Sequence, residues 1–427
     1  METKPPTLWR HPDFMKLWFG ETISILGSQI TLLALPLVAA ITLEATPIQM
    51  GALGTAQYIP WLLVGLFAGV WADRLLRRPI MILADIVRAI LLSLIPITAL
   101  LGILRMEYLY VIGFLVGMMN VFFDVSYISY LPTLIPKENL VEGNSKLQMT
   151  ASAAEIGGPG LAGGLIQWIT APIAIFVDAI SFFISAVVLG WIKKQEPIPT
   201  YSQNSSNVFE EIRDGLRVLY SNLILRAFAL VSLTSNFFAD INTAVLILYI
   251  TRTLKIEPVF IGTIFAIGSL GGLLGSLIAV RLAKLMGLGR VIVGTQFAVA
   301  FAMLMIPLAV AQFWIALPML AFAQALWSLS AVIYVINTVS LRQSITPNQY
   351  QGRVTASLRF VTWGISPLGF LLGGFLGETV GIRATLFIAA IGPVFSILWL
   401  VLSPMPGFRE MPSTEVQAEA ETVAPNL

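Results

Sequence analysis

The chain has 427 residues, of which 57% are hydrophobic and 11% are charged. Soluble proteins carry about 25% charged residues, and the apolar residues here fall in runs of about 20 or more, the length that crosses a bilayer. This composition excludes a water-soluble globule and indicates a multi-pass membrane protein. The net charge of +2 is too small to indicate a nucleic-acid partner.

Composition and motifs also exclude several kinds of chemistry. The chain has no cysteine and a single histidine, His11, in the polar N-terminal segment. Disulfides, thiolate nucleophiles and metal sites built from Cys or His inside the membrane are therefore excluded. No phosphate-binding loop, H-E-x-x-H or G-x-S-x-G motif occurs. We expect neither an enzyme nor a cofactor or metal.

Charge and Pro/Gly clusters divide the sequence into twelve predicted helical spans. They cover residues 14–42, 49–71, 79–103, 107–131, 146–169, 172–192, 224–250, 259–282, 290–310, 313–340, 352–377 and 384–403. We therefore predict an all-α membrane protein with a six-helix bundle at residues 1–192 and a second at 223–403. A polar cytosolic linker at 193–222 joins them, and residues 404–427 are predicted to be a disordered cytosolic tail.

The distribution of Lys and Arg predicts the orientation, because cytoplasmic segments carry the positive excess. With the N-terminus inside, 20 of the 25 basic residues fall on the cytosolic side, four fall outside, and Arg88 lies within a span. An odd number of spans would destroy this alternation. We predict a cell membrane location (inner or plasma membrane) with both termini cytoplasmic, and a monomer.

The two halves of the chain resemble each other. Pro136 and Pro347 each follow the fourth span of their half, 211 residues apart, and the pair Gly163-Gly164 recurs as Gly373-Gly374 at a separation of 210. A duplication of six spans is a common plan of secondary transporters, which bind their substrate between the repeats.

The loop after span 2 reads GVWADRLLRRP from Gly69 to Pro79. It resembles the G-x-x-x-D-R-x-x-R-R signature of the major facilitator superfamily. In that family the acid faces the positive end of a helix in the other half, and the arginines brace it to close the cytosolic gate. The resemblance implies that Asp73 is the acid of this gate. The gate residues so predicted are Gly69, Asp73, Arg74, Arg77 and Arg78, although the arginines are also what the positive-inside rule produces.

Asp85 and Arg88 lie three residues apart on span 3. They share one helical face and can neutralise each other. We interpret the pair as a structural extension of the gate.

Further segments narrow the resemblance. Residues 8–30 and 121–140 are similar to the opening and the fourth span of the macrolide-efflux and enterobactin-exporter branch. The span 5 segment is similar to the G-P-x-x-G-G element of drug and proton antiporters, and a related segment, SPLGFLLGG, occupies span 11. The residues of these two elements are Gly157, Gly158, Pro159, Gly160, Gly163, Gly164, Pro367, Gly373 and Gly374. The second-half counterpart of the gate loop, at 281–290, lacks the acid, and Glu21 stands where relatives often have an amide.

Acids inside the bilayer are costly and are functional candidates by default. Burial in a medium of low dielectric favours the neutral form of a carboxyl group, so such a group can take up a proton on one side and release it on the other. Our candidates for proton coupling or substrate binding are Glu21, Asp124, Glu155 and Asp240, each with the alternative of a hydrogen-bonded structural acid. Asp178 is interpreted as structural. Amides such as Gln29 and Asn120 are expected to bond neighbouring helices.

These features predict a secondary transporter that exports a lipophilic or amphiphilic small molecule, such as a macrolide-like drug, in exchange for protons by alternating access. Four alternatives stay open. They are an exporter of a siderophore, an exporter of another metabolite, a lysolipid flippase, and a membrane receptor or scaffold without transport.

Overall fold

A computed structural model describes residues 8–196, 217–346 and 350–409. Within these ranges the side chains at 66–74, 137, 141, 352, 353 and 356 lie outside the description. Most of the predicted linker and tail, at 197–216 and 410–427, also falls outside it, so the predicted domain boundaries stay predictions.

The regular elements of the described residues are all helical. The first half contains six long helices: α1 Pro12–Leu37, α2 Pro47–Arg74, α3 Arg77–Leu100, α4 Met106–Leu134, α5 Leu140–Ile169 and α6 Ala171–Gly190. A π-helical turn, Val38–Thr42, continues α1. His11 caps α1, because its side chain accepts a hydrogen bond from the Phe14 amide.

The described residues of the second half, from residue 223 on, contain eight α-helices. They are α7 Leu223–Leu248, α8 Pro258–Met286, α9 Leu288–Leu308, α10 Phe313–Ile345, α11 Gln351–Gly364, α12 Ser366–Thr379, α13 Ile382–Ala389 and α14 Gly392–Val401. A π-helical turn, Tyr249–Thr253, continues α7. The Asn222 side chain caps α7 by accepting from the amides of Ile224 and Leu225.

Spans 11 and 12 differ from the prediction, because each consists of two helices. Span 11 breaks between α11 and α12, and span 12 breaks between α13 and α14. Pro367 and Pro393 stand at the start of the second helix in each case. Proline has no amide to continue the preceding helix and is well suited to a first helical turn, which explains where the new helices begin.

Ten spans are long and apolar enough to cross a membrane in the described part of the chain. They correspond to every predicted span except the second and the fifth. The chain is therefore an all-α, multi-pass membrane protein, as predicted. The total of twelve spans stays a prediction.

The backbone repeats itself with a separation of 211 residues. The π-helical turns begin at Val38 and Tyr249. Glu44 and Lys255 each follow these turns with a positive φ, of 50° and 55°. A positive φ is uncommon for residues with a side chain, so its recurrence at equivalent positions is informative. The two halves therefore repeat these backbone features at equivalent residues.

The chain forms two compact units. The first comprises Met1–Ala45, Ala56–Gln203 and Glu257–Ala266, and the second comprises Thr46–Thr55, Asn204–Ile256 and Ile267–Leu427. The first turns of α8 thus belong to the first unit, and the first turns of α2 belong to the second.

In each unit, one pair of glycines lies where the first turns of α8 or α2 contact the other helices of that unit. In the first unit, a methyl group added to Gly163 of α5 would lie 2.6 Å from the Cα atom of Gly262 in α8. In the second unit, a methyl group on Gly374 of α12 would lie 2.9 Å from the Cα atom of Gly51 in α2. Both pairs bring helix backbones together at a distance that no side chain permits.

We predict that Gly163→Ala lowers the free energy of unfolding by about 1–3 kcal/mol, because the methyl group forces two backbones apart. Gly164→Ala is the matched control, since a methyl group there meets nothing within 4 Å. Thermal unfolding in detergent micelles measures both variants. Equal melting temperatures for the two variants would contradict the close contact.

Candidate functional site

Four helices of the first unit bring charged and polar side chains together. Glu21 lies on α1, Asp85 and Arg88 lie on α3, and Asp124 lies on α4. Helix α6 packs on both α1 and α3, and α4 packs on α3. We call Glu21, Asp85, Arg88 and Asp124 the charge cluster.

Arg88 is the centre of the cluster and is only 5% exposed. Its guanidinium group donates to the carboxylate of Asp85, which is fully buried, and to Asn120 Oδ1 at 3.0 Å. The same group lies between the rings of Phe123 and Phe182, at 4.4 and 4.1 Å from their centroids. A buried charge is tolerated when it is paired, hydrogen-bonded and stacked in this way.

The other two acids are placed at the edge of this arrangement. Glu21 is partly buried and Asp124 is exposed. Glu21 interacts electrostatically with Asp124, Asp85 and Arg88. Tyr127 interacts electrostatically with both Glu21 and Asp124. With all side chains ionised, three carboxylates and one guanidinium carry a net charge of −2. No group of three or more His, Asp or Glu side chains suited to a metal ion occurs in the described residues.

Asp178 is held by hydrogen bonds to neighbouring hydroxyl groups. It is 1% exposed and accepts from Thr31 Oγ1 on α1 and from Ser181 Oγ at 3.0 Å. Gly27 of α1 allows the close approach, because a methyl group there would collide with Ser181 and Asp178. These contacts favour the structural role predicted for Asp178.

Asp240 lies on α7 beside the break in span 11. Its carboxylate is hydrogen-bonded to Ser366, the first residue of α12, and its Cβ atom would lie 2.8 Å from a methyl group on Gly369. The second oxygen, Oδ2, is buried and has no hydrogen-bond partner in the described part of the protein. An acid on span 7 thus contacts the beginning of a helix inside the membrane.

The repeat of 211 residues relates this contact to one in the first half. Gln29 corresponds to Asp240, Gly158 corresponds to Gly369, and Glu155 corresponds to Ser366. A methyl group on Gly158 would collide with the Gln29 side chain, so both halves press a polar side chain of their first span against a glycine of their fifth. In the second half the acid Asp240 itself makes this contact. In the first half the nearby acid is Glu155, which is exposed and stands on α5 where Ser366 stands on α12.

The remaining residues of the two glycine-rich elements have different surroundings. Gly157 and Gly164 face open space, and a methyl group on Gly160 would make ordinary contact with Ala266. Pro159 lies inside α5, and Pro367 lies in the first turn of α12. Gly373 faces the backbone of Ile241 on α7. Gly163 and Gly374 therefore make the glycine–glycine contacts of these elements.

The predicted gate is described in part. The side chains of Gly69, Asp73 and Arg74 lie outside the described residues. Arg77 Nη1 forms an ion pair of 3.2 Å with Glu196 Oε1, just after span 6. Arg78 Nε donates to the carbonyl oxygen of Leu189 at 2.9 Å, and its Nη2 donates to Gly190, so it caps the C-terminus of α6.

Sequence reasoning missed the segment that contains Glu196. Residues 191–196, which we call the strap, pack against the ends of α1, α3 and α4 in the first unit. The sequence marks them only as the polar start of the linker. Nothing in their spacing indicates a contact between residues 119 positions apart.

We predict that Arg88→Met lowers the free energy of unfolding by about 3–5 kcal/mol, because it leaves Asp85 buried without its cation. The double variant Asp85→Leu/Arg88→Met removes both charges and should recover at least half of the loss. Thermal unfolding compares the two proteins. If the double variant is no more stable than the single variant, the buried charge is not the source of the loss.

Comparisons with known proteins agree with this architecture. Residues 5–426 match the family described as transmembrane secretion effectors. The chain is 25% identical to the multidrug efflux pump Tap of Mycolicibacterium fortuitum, over 90% of this chain and 93% of Tap. It is also 25% identical to macrolide efflux protein A of Streptococcus pyogenes, over 51% of this chain and 54% of that protein.

Solved structures show the same fold. A mutant of the nucleoside transporter NupG superposes with a TM-score of 0.75 at 14% identity, covering 91% of this chain and 99% of NupG. The family match over nearly the whole chain points to a transporter family. The chain belongs to the transmembrane secretion effector family of the major facilitator superfamily.

Proposed function

We propose that this transporter exports a lipophilic or amphiphilic small molecule, of the macrolide-like kind, in exchange for protons. Transport would proceed by alternating access of two six-helix bundles, residues 1–192 and 223–403, connected by the linker 193–222 and followed by the tail 404–427. The names of two relatives, a multidrug efflux pump and a macrolide efflux protein, support the direction and the substrate class.

The charge cluster is the observation that carries the proton coupling. Arg88 contacts Asp85, Asn120 and two aromatic rings, and its single positive charge stands against the three carboxylates of the cluster. Two additional negative charges inside the bilayer are unfavourable in free energy. A proton bound to Glu21 or Asp124 reduces that cost, and its release on the other side of the membrane couples the cluster to the proton gradient.

Asp240 and Glu155 are proposed as a second place for coupling. Their positions at equivalent helix crossings give each half one acid near its fifth span. Asp240 also contacts Ser366, the first residue of α12. Protonation of the Asp240 carboxyl group would therefore change a contact with the first turn of that helix. The cytosolic gate is proposed to consist of the end of α2 and the start of α3, with Gly69, Asp73, Arg74, Arg77 and Arg78, and Asp85 and Arg88 are proposed as its extension.

The test uses purified protein in liposomes with an acidic lumen and a panel of macrolides, cationic dyes and catecholate siderophores. We expect accumulation of at least one macrolide or dye that requires the pH gradient. Glu21→Gln or Asp124→Asn should reduce it about tenfold or more, because each removes a proton acceptor. Glu155→Gln, Asp240→Asn and Asp73→Asn test the other candidates.

Glu138→Gln is the matched control, because Glu138 is exposed on a short 3₁₀ turn before α5. This variant should transport at the normal rate. Transport that does not depend on the gradient would contradict the proton coupling. Transport restricted to siderophores would favour the alternative of a siderophore exporter. Folded protein that moves no compound of the panel would contradict the proposed substrate class.

The proposed location in the cell membrane with cytoplasmic termini leads to a separate prediction. The chain lacks cysteine, so a single introduced cysteine reports its own side of the membrane. In intact cells, Leu101→Cys, beyond α3, should react with an impermeant maleimide, whereas Leu75→Cys, before α3, should react only after lysis. Both positions are exposed. The reverse pattern would invert the orientation.

A further inference from the structure

The strap holds the ends of α1, α3 and α4 in the first unit. The amides of Lys193 and Lys194 donate to the two carboxylate oxygens of Asp13 in α1, at 3.1 and 3.0 Å. Lys194 Nζ donates to the carbonyl oxygen of Leu134 at the end of α4, at 3.1 Å. Lys16 Nζ of α1 donates to the carbonyl oxygen of Trp191 at 2.7 Å. The beginning of the linker is therefore fixed to the first unit.

Glu196 ends the strap at the N-terminus of α3. Its Oε2 accepts from the amides of Arg77 and Arg78 at 2.8 and 3.2 Å, while its Oε1 pairs with Arg77 Nη1. The carboxylate is 4% exposed. The first amides of a helix have no partner within the helix, and a negative charge near them is favourable. Glu196 thus caps the N-terminus of α3 with a negative charge, although it is 119 residues away from Arg77 in the sequence.

The second unit contains the equivalent cap without the charge. The amides of Leu288 and Gly289, each 211 residues after Arg77 and Arg78, begin α9. They donate to the backbone carbonyl oxygens of Arg409 and Phe408, at 3.2 and 2.8 Å. Both halves therefore fold the segment after their last span onto the start of their third. Only the first half, among the described residues, makes this contact with a carboxylate.

We infer that Glu196 is a positioning residue for the cytosolic gate, a role that rests on the transport cycle proposed above. Residues 75 and 76 connect α2, which ends in the signature acid and arginine, to the capped start of α3. Fixing Arg77 fixes one end of this two-residue connection. The charge of Glu196 thereby holds the start of α3, to which the signature acid and arginine are joined, and favours closure of the cytosolic side.

The first measurement is hydrogen–deuterium exchange of the peptide that covers residues 76–82. Glu196→Ala should accelerate its exchange about tenfold, since an N-terminal cap protects these amides. Glu196→Gln should have a smaller effect, because it retains an oxygen acceptor but loses the ion pair. The peptide covering 287–293 should not change in either variant. Glu138→Ala is the matched control, because it removes an exposed carboxylate from the same unit.

The second measurement reports a change that a purely structural cap would not cause. Leu75→Cys and Met286→Cys place spin labels at equivalent positions of the two halves, both 53% exposed, in a chain with no other cysteine. Pulsed electron paramagnetic resonance gives the distance distribution in liposomes. In Glu196→Ala the population at longer distance should increase about twofold or more relative to the parent double-cysteine protein, with Glu196→Gln between them and Glu138→Ala unchanged.

Faster exchange together with a larger long-distance population supports the inference. Faster exchange with an unchanged distribution means that Glu196 is a helix cap only, and unchanged exchange means that the contact is absent; either result overturns the inference. Glu196→Gln gives the same comparison if Glu196→Ala does not fold. Failure of the proposed export function is seen separately, as an absence of transport by the unmodified chain in liposomes.

Discussion

The buried guanidinium group of Arg88 determines how α3, α4 and α6 of the first unit pack against one another. The charge of Arg88 has to be paired, because an unpaired charge inside the membrane costs several kcal/mol. It takes a carboxylate from its own helix, an amide and a ring from α4, and a second ring from α6. These demands fix three helices relative to one another. Glu21 and Asp124 lie at the edge of this arrangement, where Glu21 is partly buried and Asp124 is exposed.

The two halves share a backbone but not their charges. Asp85 and Arg88 correspond to Gln296 and Val299 in the second half, and the charged cap of α3 corresponds to a cap made of backbone carbonyl groups on α9. The repeated features are backbone dihedrals, π-helical turns and glycine contacts. The features that differ are ionisable side chains and the breaks in spans 11 and 12, whose counterparts α5 and α6 are continuous. The halves therefore share backbone features, whereas the charge cluster lies in the first.

The sequence predicts the features that depend on composition and periodicity. The spans, the repeat of 211 residues and the neutralising pair of Asp85 and Arg88 follow from apolar runs, proline spacing and helical geometry. Features that depend on tertiary packing were not accessible. Gly163 and Gly164 are adjacent and identical in type, so only the packing of α5 shows that Gly163 contacts another backbone. Glu196 stands in a polar stretch with no periodicity, and its partner is more than one hundred residues away.

The equivalent caps of α3 and α9 show that each half holds its own end. The segment after span 6 and the segment after span 12 both fold back onto the start of the third span of their half. Neither contact needs a residue of the other half. The residues that join the halves therefore leave the first half from a point that is already anchored.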